Sequence, residues 1–347
     1  MSVIYVREQG AVIGREGERL VVSKGNEVLE EFPLANVEQL ALMGNVQLTT
    51  QAMATLLERE VDVVLLSSYG KFRGRLTGTG SRQAQLRQQQ MAALQDGHLA
   101  LTLARALVDG KVNNQRVVLQ RQSQRLQELA AGKRGTARVS QFQQALKGML
   151  TMQREAAQAR SLDSLRGYEG KAAAYYFQAI GTLLEPEWQF QGRAYYPPPD
   201  PFNALLSFAY SLLQKDVFAA VNQVGLDAYL GCFHEIAYGR PSLVLDLMEE
   251  WRPYLADPLA LELVNRGALR PETFRKTGNP KRPIELGEAG VGLVLEAYGR
   301  RLEGKLFHPG AGPGGETSLR QAILLQARQL AQVFRGQRQA YEAIKAK

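Results

Sequence analysis

The sequence contains a single cysteine, Cys232, among 347 residues, which excludes an internal disulfide framework and a cysteine-rich zinc site. No apolar run approaches the roughly 20 residues that span a bilayer, and the first residues lack the basic and apolar regions of a signal peptide. CxxC, HExxH and GxxxxGKS/T motifs are absent, which argues against zinc hydrolase and P-loop chemistry. Because hydrophobic residues make up 45% of the chain, we expect a folded, cytoplasmic protein without a membrane segment.

Acidic residues are scarce in one part of the chain. Residues 70–160 contain sixteen Lys and Arg against four Asp and Glu, whereas residues 1–69 contain five against ten. Such a basic segment is the electrostatic pattern expected for a polyanionic partner, nucleic acid above all. The alternative is a solvated helix surface that is basic without binding anything.

The first 80 residues are predicted to form short strands separated by glycine-containing turns. One embedded helix is predicted over 51–59, because a Thr49 or Thr50 hydroxyl can accept a hydrogen bond from a first-turn amide. The predicted strands cover 4–6, 11–13, 19–22, 28–31, 37–42, 46–49, 61–67 and 72–76.

After the segment from Gly78 to Ser81 the pattern becomes helical, with breaks expected at Asp109-Gly110 and over 132–135. Predicted helices cover 82–109, 113–131, 138–156, 161–182, 203–223, 242–250, 257–266, 284–303 and 316–345. The fold class is therefore α+β, with a small β-rich domain over 1–80 and a larger all-α domain over 81–347.

Histidine is also scarce, since only His98, His234 and His308 occur. For His98 and His308 a solvated or core role is the simpler interpretation. His234 differs because Asp246, Glu249 and Glu250 follow it on a predicted helix, at spacings that put their carboxylates on one side. Like charges this close destabilise an isolated helix by roughly 0.2–0.5 kcal/mol. A bound divalent cation would offset that repulsion, and a solvated acidic edge is the alternative.

Glu169 is the third element, an acid among small residues that permit close approach of a helix or a bulky ligand. A surface charge paired with Arg166 or Lys171 is the alternative. Two carboxylates and one imidazole would form a mostly oxygen site suited to Mg²⁺ or Mn²⁺, with the nitrogen ligand favouring Mn²⁺.

Four segments, in this order, resemble the CRISPR-associated integrase family. They are RGYEGKAAA around Glu169, DPFNALLSFAYSLL from Asp200, GLDAYLGCFH ending at His234, and GRPSLVLDLMEEWRP containing Asp246 and Glu249. Only Cys232-Phe233 departs mildly from the usual pattern. With the β-to-helical layout, the likeness covers nearly the whole chain.

The resemblance implies an enzyme that joins captured DNA to the CRISPR repeat by transesterification, in which a DNA 3′-hydroxyl attacks a phosphodiester. The same site would cleave or resolve branched DNA. Glu169, His234 and Glu249 are then the catalytic residues and the ligands of Mg²⁺ or Mn²⁺, with Asp246 as an accessory acid. The resemblance also implies a homodimer formed through the β-rich domain, and a small ferredoxin-like partner subunit.

Basic and aromatic residues near this site are candidate contacts to double-stranded and branched DNA. The predicted set is Arg252, Arg166, Lys171, Lys281, Arg282 and Tyr168. Tyr168, Tyr175 and Tyr195 are candidates to stack on bases at a splayed DNA end, with core packing as the alternative. Two rival functions stay open: a non-catalytic DNA-binding scaffold, and a nuclease of branched repair intermediates without integrase activity.

Overall fold

A computed structural model of the protein describes residues 2–78, 83–129, 135–194, 196–312 and 314–346. The chain divides into two compact units, Met1–Arg82 and Gln83–Lys347. The boundary expected between residues 80 and 81 lies outside the described residues. Strands dominate the first unit and helices the second, which confirms the α+β class.

In the described part of the first unit, eight strands form two four-stranded sheets. One sheet has the order β1-β5-β7-β8, in which only the β7–β8 pair is antiparallel, and the other has the order β4-β3-β2-β6, in which only the β2–β6 pair is parallel. The elements are β1 (Ser2–Val6), β2 (Val12–Glu16), β3 (Arg19–Lys24), β4 (Glu27–Pro33), β5 (Val37–Met43), β6 (Gln47–Leu48), α1 (Thr50–Glu58), β7 (Asp62–Leu66) and β8 (Phe72–Leu76). Every strand predicted from the sequence is confirmed to within a few residues.

The embedded helix begins where the threonines predict it. The Thr49 hydroxyl accepts a hydrogen bond from the Ala52 amide at 3.3 Å, which satisfies one of the free amides of the first turn. The helix buries Leu56 in a core shared with Ile13, Leu20 and Leu40. Burial of these side chains, each contributing roughly 1.5–3 kcal/mol, holds α1 against the strands.

The second unit is mostly helical. Its helices are α2 (Ala84–Gln95), α3 (Gly97–Arg121), α4 (Ser123–Leu129), α5 (Gly135–Ala157), α6 (Leu162–Thr182), α7 (Pro201–Val224), α8 (Ser242–Trp251), α9 (Asp257–Asn265), α10 (Glu288–Leu302) and α11 (Leu319–Phe334). Two short hairpins, β9 (Phe274–Asn279) with β10 (Arg282–Leu286) and β11 (Lys305–Phe307) with β12 (Glu316–Ser318), make it mostly rather than entirely helical.

The break expected at Asp109-Gly110 is wrong, because α3 continues through both residues. The chain breaks earlier, at Asp96, whose carboxylate accepts hydrogen bonds from the amides of His98 and Leu99. This cap starts α3 twelve residues before the predicted break. Most of the second expected break, 132–135, lies outside the described residues, and α5 begins at Gly135.

The C-terminal end of the chain also differs from the prediction. The helix expected over 316–345 ends at Phe334, and residues 335–346 continue without helix or strand. The helix expected from 284 begins at Glu288, because the preceding residues pair as the β9–β10 hairpin.

Two long helices organise the second unit. Helix α3 packs against α5, α6 and α8, and α7 packs against α8, α9 and α11. Among the described residues, α7 alone is long and apolar enough to cross a membrane, yet 78% of its most apolar window is buried inside the fold. That burial is typical of a core helix. Because α3 contacts both α6 and α8, these three helices, which are far apart in the sequence, lie side by side.

Candidate active site

The structure brings the three predicted site residues together. Glu169 lies on α6, Glu249 lies on α8, and His234 lies in the loop before α8. The Nε2 atom of His234 is 3.8 Å from Oε1 of Glu249. Glu169 and Glu249 both contact Lys111, which extends from α3. Two of the three predicted residues therefore contact a lysine that the sequence analysis did not single out.

Lys111 forms ion pairs with both carboxylates, through Oε1 of Glu169 and Oε2 of Glu249. Its side chain is 10% exposed, which is unusual for lysine unless the charge is paired. The sequence does contain a signal: Lys111 lies between Val108 and Val112, on the buried face of a helix. A lysine at a position where an apolar residue is expected indicates a buried partner of opposite charge.

Asp246 organises the loop that carries His234. Its two oxygens accept hydrogen bonds from the backbone amides of Cys232, Phe233 and His234 at 2.6, 3.0 and 2.8 Å. Oδ1 also lies 2.7 Å from Nδ1 of the His234 ring. Gly231 permits this arrangement, since a Cβ there would lie 2.6 Å from Oδ2 of Asp246. The predicted accessory acid thus holds the histidine and does not itself face the other two acids.

The Asp246 contact sets which nitrogen of His234 faces the site. A buried carboxylate accepts hydrogen bonds, so Nδ1 of His234 carries a proton and donates a hydrogen bond to Asp246. In the neutral ring Nε2 then has a free lone pair, directed toward Glu249. A carboxylate behind a histidine in this way is the arrangement that orients metal-binding histidines. Nε2 of His234 is therefore able to bind an ion or accept a proton.

Opposite charges hold Glu249 in its ionised form. Burial alone would raise the pKa of this carboxyl, but the neighbouring Arg252, Lys111 and His234 lower its pKa from 4.5 to about 2. Burial likewise would lower the pKa of Lys111, yet Glu169 and Glu249 raise it above 10.5. Lys111 and Glu249 are therefore both charged at neutral pH.

Arg252 is the predicted DNA contact closest to the acids. Its Nη1 donates a hydrogen bond to Oε1 of Glu249 at 2.7 Å, and its guanidinium lies 5.1 Å from the ring centre of Tyr210. The residue begins a π-helical turn, Arg252–Ala256, that joins α8 to α9. Pro253 lacks an amide proton, which disfavours a regular helical turn at this point.

A cavity of about 770 Å³ opens beside Lys111 and Arg252. Small residues on α6, Gly170, Ala173 and Ala174, leave the space, and Phe177, Phe190 and Tyr210 provide aromatic wall. Four cationic side chains line it: Lys111, Arg138, Arg193 and Arg252. Since Asp257 is the single acid in the lining, the cavity favours an anionic ligand.

The DPFN segment, residues 200–203, holds one residue of the cavity lining in place. Asp200 caps α7 by accepting a hydrogen bond from the Asn203 amide at 2.8 Å. Oδ1 of Asn203 in turn accepts from Nη1 of Arg193 at 2.9 Å, and Ser207 accepts from Nη2 of the same guanidinium at 3.1 Å. One of the four resemblance motifs therefore fixes a cationic residue of the cavity wall.

The remaining predicted DNA contacts are more dispersed. Nε and Nη2 of Arg166 donate to the Phe233 carbonyl at 3.0 and 2.9 Å, so Arg166 ties α6 to the histidine loop. Lys171 is exposed, with Nζ 6.0 Å from the ring centre of Tyr175, and Tyr168 is half-buried. In the β9–β10 hairpin Lys281 is exposed and Arg282 pairs with Glu285. Tyr195 lies outside the described residues. Their role in DNA binding stays a prediction.

The donor set fits a hard divalent ion only if Lys111 moves. Two carboxylates and an imidazole lone pair are suitable ligands for Mg²⁺ or Mn²⁺. Over the described residues, no three His, Cys, Asp or Glu side chains are already close enough to hold an ion. The Lys111 ammonium lies between Glu169 and Glu249, where it neutralises the same charges that an ion would.

We expect the buried Asp257 to make stability fall as pH rises. Its oxygens accept hydrogen bonds from Tyr210 at 2.6 Å and Tyr176 at 3.0 Å, but burial raises its pKa from 3.8 to about 6. Because the folded-state pKa is the higher one, the contribution is fully present below pH 3.8 and is lost as pH rises through 6. The shift corresponds to a contribution on the order of 2–3 kcal/mol.

Urea unfolding of wild type and Asp257→Asn at pH 5 and pH 8 measures this effect. The neutral amide cannot ionise, so the variant should lose less free energy of unfolding than wild type between the two pH values. Glu250, whose pKa burial raises from 4.5 to about 7, gives both proteins a remaining slope of the same sign. Equal pH slopes in the two proteins would contradict the assignment.

Comparison with known proteins gives consistent sequence matches. Residues 4–300 match the family described as CRISPR associated protein Cas1. CRISPR-associated endonuclease Cas1 3 from Thermus thermophilus is 37% identical, over 99% of this chain and 96% of the relative. CRISPR-associated endonuclease Cas1 2 from Rhodospirillum rubrum is 34% identical, over 98% of this chain and 97% of the relative.

Solved structures share the fold. A casposase bound to integration product has a TM-score of 0.83 at 22% identity, covering 99% of this chain and 93% of that chain. A CAS1 protein from Thermotoga maritima has a TM-score of 0.78 at 21% identity, covering 99% and 100%. A Cas6-RT-Cas1–Cas2 complex has a TM-score of 0.80 at 24% identity, covering all of this chain and 36% of that chain.

Proposed function

Because the chain belongs to the Cas1 family of CRISPR-associated proteins, we propose that it is a nuclease and integrase of CRISPR adaptation. It would join the 3′-hydroxyl ends of captured DNA to the repeat. The observation that carries this proposal is the meeting of Glu169, Glu249 and Nε2 of His234 beside a basic cavity. Relatives named endonucleases and the casposase with its integration product support it.

The proposed reaction is a transesterification at phosphorus. The 3′ oxygen of the captured DNA forms a new bond to the phosphorus of a phosphodiester at the repeat edge, and the bond from that phosphorus to the 3′ oxygen of the repeat strand breaks. The proton lost by the attacking hydroxyl balances the proton gained by the leaving oxygen. One phosphodiester replaces another, so no nucleotide cofactor is needed. Water in place of the hydroxyl would give cleavage, and the reverse reaction would resolve branched DNA.

Each side chain has a role in this proposal. Glu169, Glu249 and Nε2 of His234 would hold Mg²⁺ or Mn²⁺. Such an ion supplies Lewis-acid stabilisation of the phosphoryl oxygens and a lower pKa for the attacking hydroxyl. Lys111 would have to leave the two carboxylates for such an ion to bind, and its ammonium could then neutralise phosphate. Arg252, which donates a hydrogen bond to Glu249 and lines the cavity, would neutralise the phosphodiester.

We also propose the assembly in which the enzyme works. The fold is shared with chains of Cas1–Cas2 complexes, which supports a partner subunit. The family resemblance implies that this subunit is small and ferredoxin-like. Residues 1–69 carry five Lys and Arg against ten Asp and Glu, a balance that suits a protein-facing rather than a DNA-facing domain. A homodimer would form through that domain. The basic residues of the second unit would bind double-stranded and branched DNA.

Strand joining with purified components tests the proposed function. The assay combines the full chain, its small partner, a short duplex with free 3′-hydroxyls and a repeat-containing plasmid, with Mn²⁺ present or chelated. We expect labelled duplex to become covalently joined to the plasmid only when Mn²⁺ is present. Cleavage of branched DNA without joining would favour the repair nuclease. Joining of undiminished rate with the chelator would remove the metal from the proposal.

A further inference from the structure

The last described residues touch the two helices that carry Lys111 and Glu249. Residues 341–346, which we call the C-terminal strap, follow α11 without helix or strand. Tyr341 and Ile344 are buried, whereas Glu342 and Lys345 are exposed. This pattern is typical of an extended segment that packs against the protein with one face and exposes the other to solvent. Its contacts fall on α8 and α3, directly beside Glu249 and Lys111.

On α8 the strap is fastened to Glu250, the neighbour of Glu249. The Glu250 side chain is completely buried. Its carboxylate accepts hydrogen bonds from the Tyr341 hydroxyl at 2.6 Å and from the Ile344 amide at 2.8 Å. Gln326 on α11 donates to the same carboxylate at 3.1 and 3.2 Å. Because these polar groups are buried, a released strap would leave them without partners, and the attachment is therefore firm.

On α3 the strap is fastened to Asn114, one helical turn after Lys111. Nδ2 of Asn114 donates hydrogen bonds to the Glu250 and Ile344 carbonyls, both at 2.9 Å. Its Oδ1 accepts from the Ala346 amide at 2.8 Å. A single buried amide therefore connects α3, α8 and the strap. The three elements cannot shift independently without leaving buried polar groups unpaired.

The closest approach lies immediately before Lys111. A Cβ built on Gly110 would lie 2.4 Å from the Cβ of Ala343, and its next neighbours, Ala343 Cα and Glu250 Cβ, are each at 3.7 Å. Lys345 Nζ pairs with Oδ2 of Asp109 at 2.6 Å. Glycine is less favourable than alanine in a helix interior, and the close contact with the strap explains why a glycine lies here.

We propose that the C-terminal strap is a positioning element of the active site, which sets α3 against α8 so that Lys111 and Glu249 meet. The proposal rests on the proposed function for its catalytic consequence. Without a seated strap the two helices separate at Gly110 and Glu250, and the Glu249 carboxylate loses its place relative to Glu169. The strap touches no substrate, so it acts only through the residues beside it.

A clash and its relief test the strap. Gly110→Ala puts a methyl group into Ala343, whereas the double variant Gly110→Ala/Ala343→Gly removes the atom at 2.4 Å and leaves contacts of 3.7 Å. We expect Gly110→Ala to join strands at least tenfold more slowly at saturating DNA, and the double variant to recover to within about twofold of Ala343→Gly. Gly299→Ala is the matched control, because no atom lies within 4 Å of a Cβ there.

Hydrogen exchange of the α8 peptide, measured without metal or DNA, separates the strap from the chemistry. The Glu249–Trp251 amides should exchange faster in Gly110→Ala and return to the wild-type rate in the double variant. The proposal is overturned if Gly110→Ala leaves both the joining rate and the α8 exchange rate unchanged. It is also overturned if Gly110→Ala lowers the joining rate and the added Ala343→Gly does not restore it. If Gly110→Ala does not fold, Tyr341→Phe, which loses only the hydroxyl bonded to Glu250, must show faster α8 exchange. If the wild-type protein joins no strands, the proposed function is refuted. The hydrogen-exchange rates of α8 then decide by themselves whether the strap positions α3 against α8.

Discussion

Glu249→Gln is expected to lower the rate of strand joining by about a thousandfold, with His234→Ala in the same range. The amide keeps the shape of Glu249 but loses the negative charge that Arg252 and Lys111 now neutralise. An ion held by two carboxylates and Nε2 of His234 would lose one ligand in either variant. Metal-ion catalysis contributes several kcal/mol of transition-state stabilisation, and about 4 kcal/mol corresponds to a thousandfold in rate.

Matched substitutions elsewhere in the second unit control for the loss of an acid or a histidine. Glu296→Gln on α10 removes an exposed carboxylate whose partner is Arg300, one helical turn away. His98→Ala removes an exposed imidazole at the start of α3. Both controls are expected to join at the wild-type rate. Circular dichroism at the assay temperature verifies that each variant is folded, so that a lower rate reports chemistry.

The pattern of losses distinguishes the candidate functions. If Glu249→Gln and His234→Ala join as fast as wild type, the chemistry lies in other residues and the protein serves as a DNA-binding scaffold. If both joining and the cleavage of branched DNA fall together, one site carries both reactions. If cleavage falls and joining was never present, the repair nuclease is the better description.

Local patterns predicted the N-terminal unit well because its signals are local. Alternating apolar residues, glycine turns and the Thr49 cap depend on few distant contacts, and each corresponds to an observed strand, turn or helix start. The three acids of the site, Glu169, Asp246 and Glu249, and His234 were identifiable because the sequences around them match motifs of a known family. The family resemblance identified the site residues. Their spacing alone was also consistent with an acidic helix edge exposed to solvent.

Contacts between distant segments account for what the sequence did not predict. Asp109-Gly110 carries a helix-ending signal, but Gly110 lies in mid-helix because Ala343 approaches it from the far end of the chain. The β9–β10 hairpin was missed although Pro280 lies at its turn and Gly278 lies two residues before that proline. Its first strand begins at Phe274, which packs against Trp188 at 5.9 Å between ring centres. Such tertiary contacts override local propensity.

Asp246 and Lys111 show the same limit within the site. Spacing put Asp246 beside Glu249, but only the fold reveals that it faces the Cys232–His234 backbone rather than the other acids. Lys111 lies 58 residues before Glu169, so no motif connects them. A buried lysine is recognisable from helical periodicity, but its partners are not.

Lys111→Met is expected to destabilise the metal-free protein by about 3–5 kcal/mol, the usual cost of removing one partner of a buried ion pair. Glu249 is 2% exposed and would keep the Arg252 guanidinium, 2.7 Å from its carboxylate, and the His234 ring at 3.8 Å. Glu169, 16% exposed, would lose its ion pair with Lys111. Two facing carboxylates then repel each other across the space that the ammonium occupied.

Mn²⁺ should restore much of that stability, and more to the variant than to wild type. In wild type an ion must displace the Lys111 ammonium before Glu169 and Glu249 can bind it, whereas in the variant the carboxylates are open. A ligand at a hundred times its dissociation constant stabilises the folded state by about 2.7 kcal/mol. Titration of the unfolding midpoint with Mn²⁺ therefore should show tighter binding by Lys111→Met, by about tenfold or more.

Lys215→Met is the control that separates this effect from the loss of any buried lysine. Lys215 is completely buried on α7 and pairs with Asp216 at 2.6 Å, away from the three acids of the site. Its substitution should destabilise the protein to a similar extent, but with the same Mn²⁺ response as wild type. Equal Mn²⁺ responses in all three proteins would mean that the ion does not compete with Lys111. The Glu169 and Glu249 pair would then be a structural ion cluster, and the metal would have to bind elsewhere.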